Sequence, residues 1–131
     1  MKLHQNAFMF LCDQITEPEC LEKRLVGTTQ SNALWSMTIK AGDDIYLFNF
    51  NTGLVRGPYS ALTGADCHEP TAWGGKFPTQ VRTSKTPSTR KALNVAPNAP
   101  ALLRKKRPSG DLGNVAPQLF SWLQEFGTQV D

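Results

Sequence analysis

One run of ten residues carries most of the structural information in this sequence: Trp73-Gly74-Gly75-Lys76-Phe77-Pro78-Thr79-Gln80-Val81-Arg82. Its adjacent glycines let the backbone turn closely, and the tryptophan before them supplies a large flat ring. We predict a strand from Lys76 to Thr83, made irregular by Pro78. Lys76 and Arg82 are an even number of positions apart, so on such a strand both side chains lie on one face. A ring such as Trp73 beside a basic strand is typical of proteins that stack a nucleobase and contact its phosphates.

A second tryptophan lies far away in the sequence. Trp35 is flanked by Asn32 and Ser36, whose side chains can donate and accept hydrogen bonds to the edge of a base. The alternative is that Trp35 and Trp73 both belong to the core, since tryptophan is highly buried on average.

Positive charge is confined to one segment. Residues 76–110 contain nine basic residues and no acid, whereas residues 1–75 contain five basic and eight acidic residues. Such a block is typical of proteins that bind a polyanion. A solvated, flexible loop is the alternative. Part of the segment is a run that also resembles a weak localisation signal, Arg104-Lys105-Lys106-Arg107.

The first third of the chain predicts a strand followed by a helix. Residues 8–12 are apolar and aromatic, which indicates a buried strand. Thr16 is suited to be an N-cap, with Glu19 completing a capping box. The helix is predicted to continue to about Leu25, and Gly27 to stop it. Residues 28–32 are polar and predict a turn.

The remaining elements predict a curled sheet. Residues 45–50 form the clearest strand, and a tight turn leads to a second strand at 54–62. Gly57-Pro58 predicts that this second strand is bulged or lies at a sheet edge. Residues 101–105 are a further candidate strand, residues 84–100 a loop, and residues 115–126 an amphipathic helix. We expect an α+β domain spanning 1–131, an open β-barrel or curled mixed sheet of about five or six strands flanked by two or three helices.

Composition favours a soluble cytoplasmic domain without a cofactor. At 131 residues and 40% hydrophobic content the chain can form one core, and it has neither an apolar run of membrane-spanning length nor a signal-peptide pattern. Its three cysteines form no zinc-binding pattern. An enzyme acting through Asp66, Cys67, His68 or Glu69 is the weakest hypothesis, because no nucleophile, base and orienting group can be named together.

Several motifs together resemble the development and cell death (DCD) domain, a member of the PUA-like superfamily with the EVE, ASCH and YTH domains. Residues 74–82 are similar to its Gly-Gly-Lys-Phe-Pro-Ala-Gln-Val-Arg signature, and residues 18–21 match its Pro-Glu-Cys-Leu helix start. Residues 39–42 are similar to its Ile-Lys-Pro-Gly turn. The sequence departs from the family at 26–29, where Val-Gly-Thr-Thr replaces Phe-Gly-Leu-Pro.

The resemblance implies a base-binding pocket. By position, Trp35-Ser36 resembles the Trp-Ser of the YTH aromatic cage. Cys12-Asp13 lies where pocket residues leave the first strand of that family, and Trp73 lies near its second cage tryptophan.

We therefore expect a non-catalytic nucleic-acid-binding module, with RNA or a modified base as its partner. The alternative is a protein-interaction domain of the kind supposed for DCD proteins. Its contact surfaces would be the helix at 115–126 and the sheet edge at Gly57-Pro58.

Overall fold

The computed structural model describes residues 6–30, 33–105 and 108–130. Within these ranges the elements are β1 Ala7–Cys12, α1 Glu17–Lys23, β2 Leu25–Thr28, α2 Ala33–Ser36, β3 Asp44–Asn49, β4 Leu54–Ala61, β5 Thr79–Ser84, β6 Arg90–Leu93, β7 Gly110–Asp111, α3 Ala116–Phe126 and β8 Thr128–Gln129. 3₁₀ turns lie between them at Ala72–Gly75, Ala101–Arg104 and Gly113–Val115.

The strands form one mixed sheet in the order β2-β5-β4-β3-β1-β7, with β6 and β8 branching from β4. β1 and β3 are parallel, and the other pairings between described strands are antiparallel. The first half of β4 pairs with β6, and its last two residues pair with β5. The sheet therefore divides along β4 and curls into a half-barrel, which confirms the predicted fold class.

Two clusters of apolar side chains pack on opposite faces of this sheet. The outer core joins Ala7 and Met9 to Trp122 and the rest of the buried face of α3. The inner core joins Phe8, Phe10 and Cys12 to Cys20, the buried residue of α1. Successive residues of β1 point to opposite faces, so a strand covered on both sides must be apolar throughout.

The end of α1 differs from the prediction. The helix stops at Lys23, because Arg24 takes a left-handed conformation with φ 51° and ψ 51°. Leu25–Thr28 then forms β2, which pairs with β5. The prediction of a helix to about Leu25 is wrong, and Gly27 lies inside a strand rather than ending a helix. The predicted turn is wrong at Thr28, which belongs to β2.

The strand after the Gly-Gly pair starts later than predicted. Lys76 is not part of it, since its N–H donates to Trp73 O at 3.2 Å and closes the 3₁₀ turn. β5 begins at Thr79. The inference that Lys76 and Arg82 share one strand face is therefore wrong.

Three further expectations can be compared with the sheet. Residues 101–104 form a 3₁₀ turn rather than a strand, and the supposed loop at 84–100 contains β6. A shift in the β3–β4 register between Ile45 and Leu47 confirms the bulge expected near Gly57-Pro58. The alternative of a sheet edge is wrong, because β4 has strands on both sides and both residues are buried.

In the part of the chain that the structure describes, no helix has both the length and the apolar character needed to cross a membrane.

Candidate functional site

The loop before β5 is held in shape by one buried amide. Gln80 is 1% exposed, and its Nε2 donates to the carbonyls of Glu69 and Phe77 at 2.9 and 3.0 Å. Its Oε1 accepts the Glu69 N–H at 2.8 Å. Backbone hydrogen bonds between Asp66 and Gln80 close the base of the loop. This one side chain therefore pairs with three backbone groups of the loop; the Glu69 carbonyl also accepts the Ala72 N–H at 3.0 Å, whereas the Glu69 N–H and the Phe77 carbonyl are satisfied by the amide.

Trp73 ties the same loop to α1. Its backbone is left-handed with φ 51°, and its N–H donates to Glu19 Oε2 at 3.0 Å. The indole Nε1 donates to Thr16 O at 3.1 Å, and the ring meets Phe77 edge-on with centroids 5.5 Å apart. The ring also covers Gly27, where an added Cβ would lie 2.7 Å from it. The Trp73 ring is thus half-buried against the inner core, and its role in stacking a base stays a prediction.

A cavity of about 300 Å³ lies in front of this loop, where β1 ends. We call it the strand-end cavity. It brings together three residues that the sequence analysis selected, Cys12, Asp13 and Lys76. The complete lining is Leu11, Cys12, Asp13, Thr16, Gly27, Thr28, Thr29, Phe50, Lys76, Phe77 and Ser109.

Asp13 is locked into the wall of the strand-end cavity. Its Oδ1 accepts the N–H groups of Ile15 and Thr16 at 2.9 and 2.8 Å, and the Thr16 hydroxyl at 3.1 Å. Thr16 Oγ1 in turn accepts the Asp13 N–H at 3.0 Å. These bonds replace the predicted capping box, because the Thr16 side chain does not cap α1. The hydrogen bonds from Thr16 lower the pKa of Asp13, and Lys76 adds to that shift, so the carboxylate is ionised at neutral pH.

Lys76 and two phenylalanines also line the strand-end cavity. The ammonium of Lys76 lies 5.3 Å from the centroid of Phe77, a cation–π distance. Phe50 follows β3 and also lines the cavity. The strand-end cavity thus combines a fixed acceptor, a cation and two aromatic rings.

Trp35 and Ser36 are placed elsewhere. The Trp35 ring stacks on Phe8 with centroids 6.2 Å apart and meets Phe10 edge-on at 5.2 Å. Ser36 is fully buried. Neither residue lines the strand-end cavity, and Trp35 and Trp73 have different ring partners. The role of Trp35 and Ser36 in contacting a base stays a prediction. Asn32 lies outside the described residues.

Among the described cations that were predicted to bind phosphates, Lys76 lines the strand-end cavity, whereas Arg82, Arg104 and Lys105 do not. Arg82 Nη1 pairs with Glu69 Oε2 at 3.1 Å, and Glu69 also pairs with Lys23 at 3.5 Å. Arg104 and Lys105 are exposed at the end of the 3₁₀ turn. Lys106 and Arg107 lie outside the described residues. Ser109 lines the strand-end cavity, so the chain returns to its rim just after the basic run.

The lining residues that the sequence analysis missed as site residues include Phe77, Phe50 and Thr16. Phe77 had a detectable signal, since it stands inside the ten-residue run. Phe50 had none, because an aromatic residue at the end of an apolar strand is indistinguishable from a core residue.

The two buried thiols are poor nucleophiles. Burial raises the pKa of Cys20 to about 12, and it raises the pKa of Cys12 further still. Cys67 is exposed, and the ring of its neighbour His68 contacts Thr63 Oγ1 at 3.0 Å. No group of three or more His, Cys, Asp or Glu side chains in 6–30, 33–105 and 108–130 is arranged to hold a metal ion.

Comparison with known proteins identifies a family and a structural likeness. The model of the development and cell death domain matches residues 6–97. A solved complex of the YTH domain-containing protein mmi1 with RNA aligns with a TM-score of 0.49 and 13% sequence identity. The alignment covers 62% of this chain and 54% of that one, so the chain spans about half the length of that relative. No curated protein matches the sequence.

Proposed function

The chain belongs to the development and cell death domain family, and we propose that it is a non-catalytic module that binds single-stranded nucleic acid through the strand-end cavity. The observation that carries the proposal is that Asp13 and Lys76, which are distant in sequence, face one cavity with two aromatic rings.

The dimensions of the cavity suit one unstacked base. Ligand pockets begin at about 300 Å³, and the strand-end cavity has that volume. A base in the cavity would present its flat faces to Phe77 and Phe50, and each such contact contributes about 1–3 kcal/mol. Single-stranded segments are favoured over a duplex because their bases can be splayed out of the stack.

Asp13 supplies selectivity for a base edge that donates a hydrogen bond. Oδ1 is occupied by the turn that leads into α1. Among the described hydrogen bonds none ends on Oδ2, which leaves that oxygen for an N–H of a base. A hydrogen bond to an ionised acceptor contributes about 1.5–3 kcal/mol. The lowered pKa keeps this acceptor ionised at neutral pH.

Lys76 and the run at 104–107 supply the contacts to phosphates. Lys76 has a cation–π partner but no carboxylate partner among the described ion pairs. Lys105 is exposed four residues before Ser109, which lines the cavity. Contacts of this kind release counterions, so the affinity must fall as salt rises.

The experiment measures fluorescence anisotropy of labelled single-stranded RNA and DNA dodecamers at about 50 and 200 mM salt. We expect Lys76→Ala to weaken binding about three- to tenfold and to lower the salt slope by about one. Asp13→Asn keeps an acceptor for the turn but loses the charge, and we expect it to lower the affinity for the dodecamers at least fivefold.

Lys40→Ala is the matched control. Lys40 is exposed and lies before β3, at the opposite end of the β1–β3 pair from Cys12. We expect the affinity of this variant to stay within twofold of the wild type. Absence of binding to any dodecamer, or equal effects of Lys76→Ala and Lys40→Ala, would overturn the proposal and favour a protein-interaction domain.

A further inference from the structure

A second and larger cavity of about 410 Å³ opens on the inner face of the half-barrel, bounded by α1, β2, β4 and β5. We call it the arginine cavity. Its lining is Cys20, Leu21, Arg24, Val26, Leu47, Arg56, Tyr59, Thr83, Ser84, Lys85 and Val130. It shares no lining residue with the strand-end cavity.

The lining carries three positive charges and no negative one. Arg24 comes from the C-terminal cap of α1, Arg56 from β4, and Lys85 directly follows β5. The Arg24 carbonyl accepts the N–H of Thr83 at 2.9 Å, so that part of the rim is fixed to the sheet. Charge patterning in the sequence did not point here, because Arg24 and Arg56 belong to the acidic part of the chain. Three elements thus bring separate cations to one concave surface.

Arg56 is the deepest of the three cations. Its side chain is 13% exposed, and its described ion pair joins Nε to Glu17 Oε2 at 3.4 Å. Glu17 is its ion-pair partner in the described part of the chain, and a hydrogen bond also joins its side chain to Tyr59. A guanidinium has five N–H donors, so these two contacts leave others for a ligand. A guanidinium in this position presents a planar fork suited to two oxygens of a phosphate or a carboxylate.

The remaining wall is partly apolar and partly neutral polar. Leu47, Val26 and Cys20 form an apolar floor. Burial raises the pKa of Tyr59, while nearby Arg56 partly offsets the shift, so its phenol is neutral at physiological pH and able to donate. Ser84 adds a hydroxyl at the rim. The cavity therefore offers a cationic side to a charged group and an apolar side to the body that carries it.

We propose that the arginine cavity is a binding site for a small organic anion, a phosphate or carboxylate group on an apolar or aromatic body. Arg56 binds the anionic group, and Arg24 and Lys85 neutralise it from the rim. The body packs on Leu47 and Val26. The inference does not depend on nucleic-acid binding, because it uses a different cavity.

The test is a titration of the ¹⁵N-labelled full chain, followed by amide chemical shifts. Phenyl phosphate and phenylacetate are the probes, and they distinguish a phosphate from a carboxylate ligand. Inorganic phosphate provides the charge alone, and benzyl alcohol the body alone. We expect saturable shifts at the amides of Arg24, Ser84 and Lys85 with phenyl phosphate or phenylacetate. Inorganic phosphate and benzyl alcohol should bind at least tenfold more weakly.

Arg56→Lys keeps the charge next to Glu17 but removes the planar fork of the guanidinium, and it should lower the affinity for the better of the two aromatic probes at least fivefold. Lys85→Ala should lower the affinity for that probe about two- to fivefold, and Lys40→Ala should leave the affinity unchanged. If neither aromatic probe saturates the amide shifts by about 10 mM, the proposal is overturned. An unchanged affinity of Arg56→Lys for the better probe would also overturn it. Dodecamer binding by Arg56→Lys should equal that of the wild type, so the two proposals fail separately.

Discussion

Gly27 gives the sharpest test of how the family motif and β2 fit together. A Cβ at this position would lie 2.7 Å from Trp73 Cζ3 and 2.9 Å from Phe77 Cβ, where ordinary contacts begin at about 3.4 Å. The indole cannot easily retreat, because Nε1 is bonded to Thr16 O and the backbone N–H to Glu19. We therefore expect Gly27→Ala to be accommodated only by displacing the loop.

The magnitude follows from three contributions. Overpacking costs about 1–3 kcal/mol, and losing the indole hydrogen bond costs about 1 kcal/mol. Alanine in place of glycine in a strand returns about 0.5–1 kcal/mol. The net expectation for Gly27→Ala is a loss of about 1–3 kcal/mol in the free energy of unfolding. For a domain of this size that corresponds to a fall in Tm of roughly 3–10 °C.

Urea unfolding followed by fluorescence and circular dichroism measures the change, and the m-value should stay constant. Trp73→Phe supplies the second edge of a double-mutant cycle, because it removes the ring atoms that the new methyl group would meet. In that background Gly27→Ala should cost at least 1 kcal/mol less. A Gly27→Ala protein as stable as the wild type, or equal costs in both backgrounds, would refute the packing described for this loop.

Two further perturbations address the loop and the thiols. Gln80→Met keeps the length of the side chain but removes the amide that pairs with the Glu69 N–H and the Phe77 carbonyl, and we expect thermal unfolding to show a loss of about 3 kcal/mol in the free energy of unfolding; a loss below about 1 kcal/mol would contradict the role given to this amide. Iodoacetamide at pH 8 should modify Cys67 alone in the native protein, because burial raises the pKa of Cys12 and Cys20 and leaves almost no thiolate there. Mass spectrometry should then show one adduct, none in Cys67→Ser, and three in the wild type after denaturation; rapid native labelling at a second site would contradict the burial.

The elements predicted well are those whose pattern is local. The apolar run of β1 and the helical periodicity of α3 can be detected within a dozen residues, and both were placed within about one residue. β2 was missed because Leu25 and Val26 continue a helical pattern, and only pairing with β5 makes them a strand. Lys76 was assigned to a strand because the consecutive left-handed residues that extend the preceding turn cannot be inferred from composition.

The residues of the candidate site were also predicted only in part. The sequence selected Cys12, Asp13 and Lys76, and the fold places them around one cavity. For Trp35 the sequence left both a base-contacting role and a place in the core open. In the structure its ring rests on Phe8 and Phe10, which are two residues apart and therefore point to the same face of β1. Which ring ends in a core and which lines a cavity is decided by packing between distant segments.

The position of β1 in the sheet also constrains how the chain can fold as it is synthesised. β1 lies between β3 and β7, and Phe8 and Met9 pair with Asp111 and Gly110, about 100 residues later. Contacts at such separation carry a high entropic cost of loop closure and slow folding. On the ribosome, this most apolar strand acquires its first neighbour only after β3 has emerged and its second after β7. Its backbone edges are meanwhile open to chaperones and to other chains.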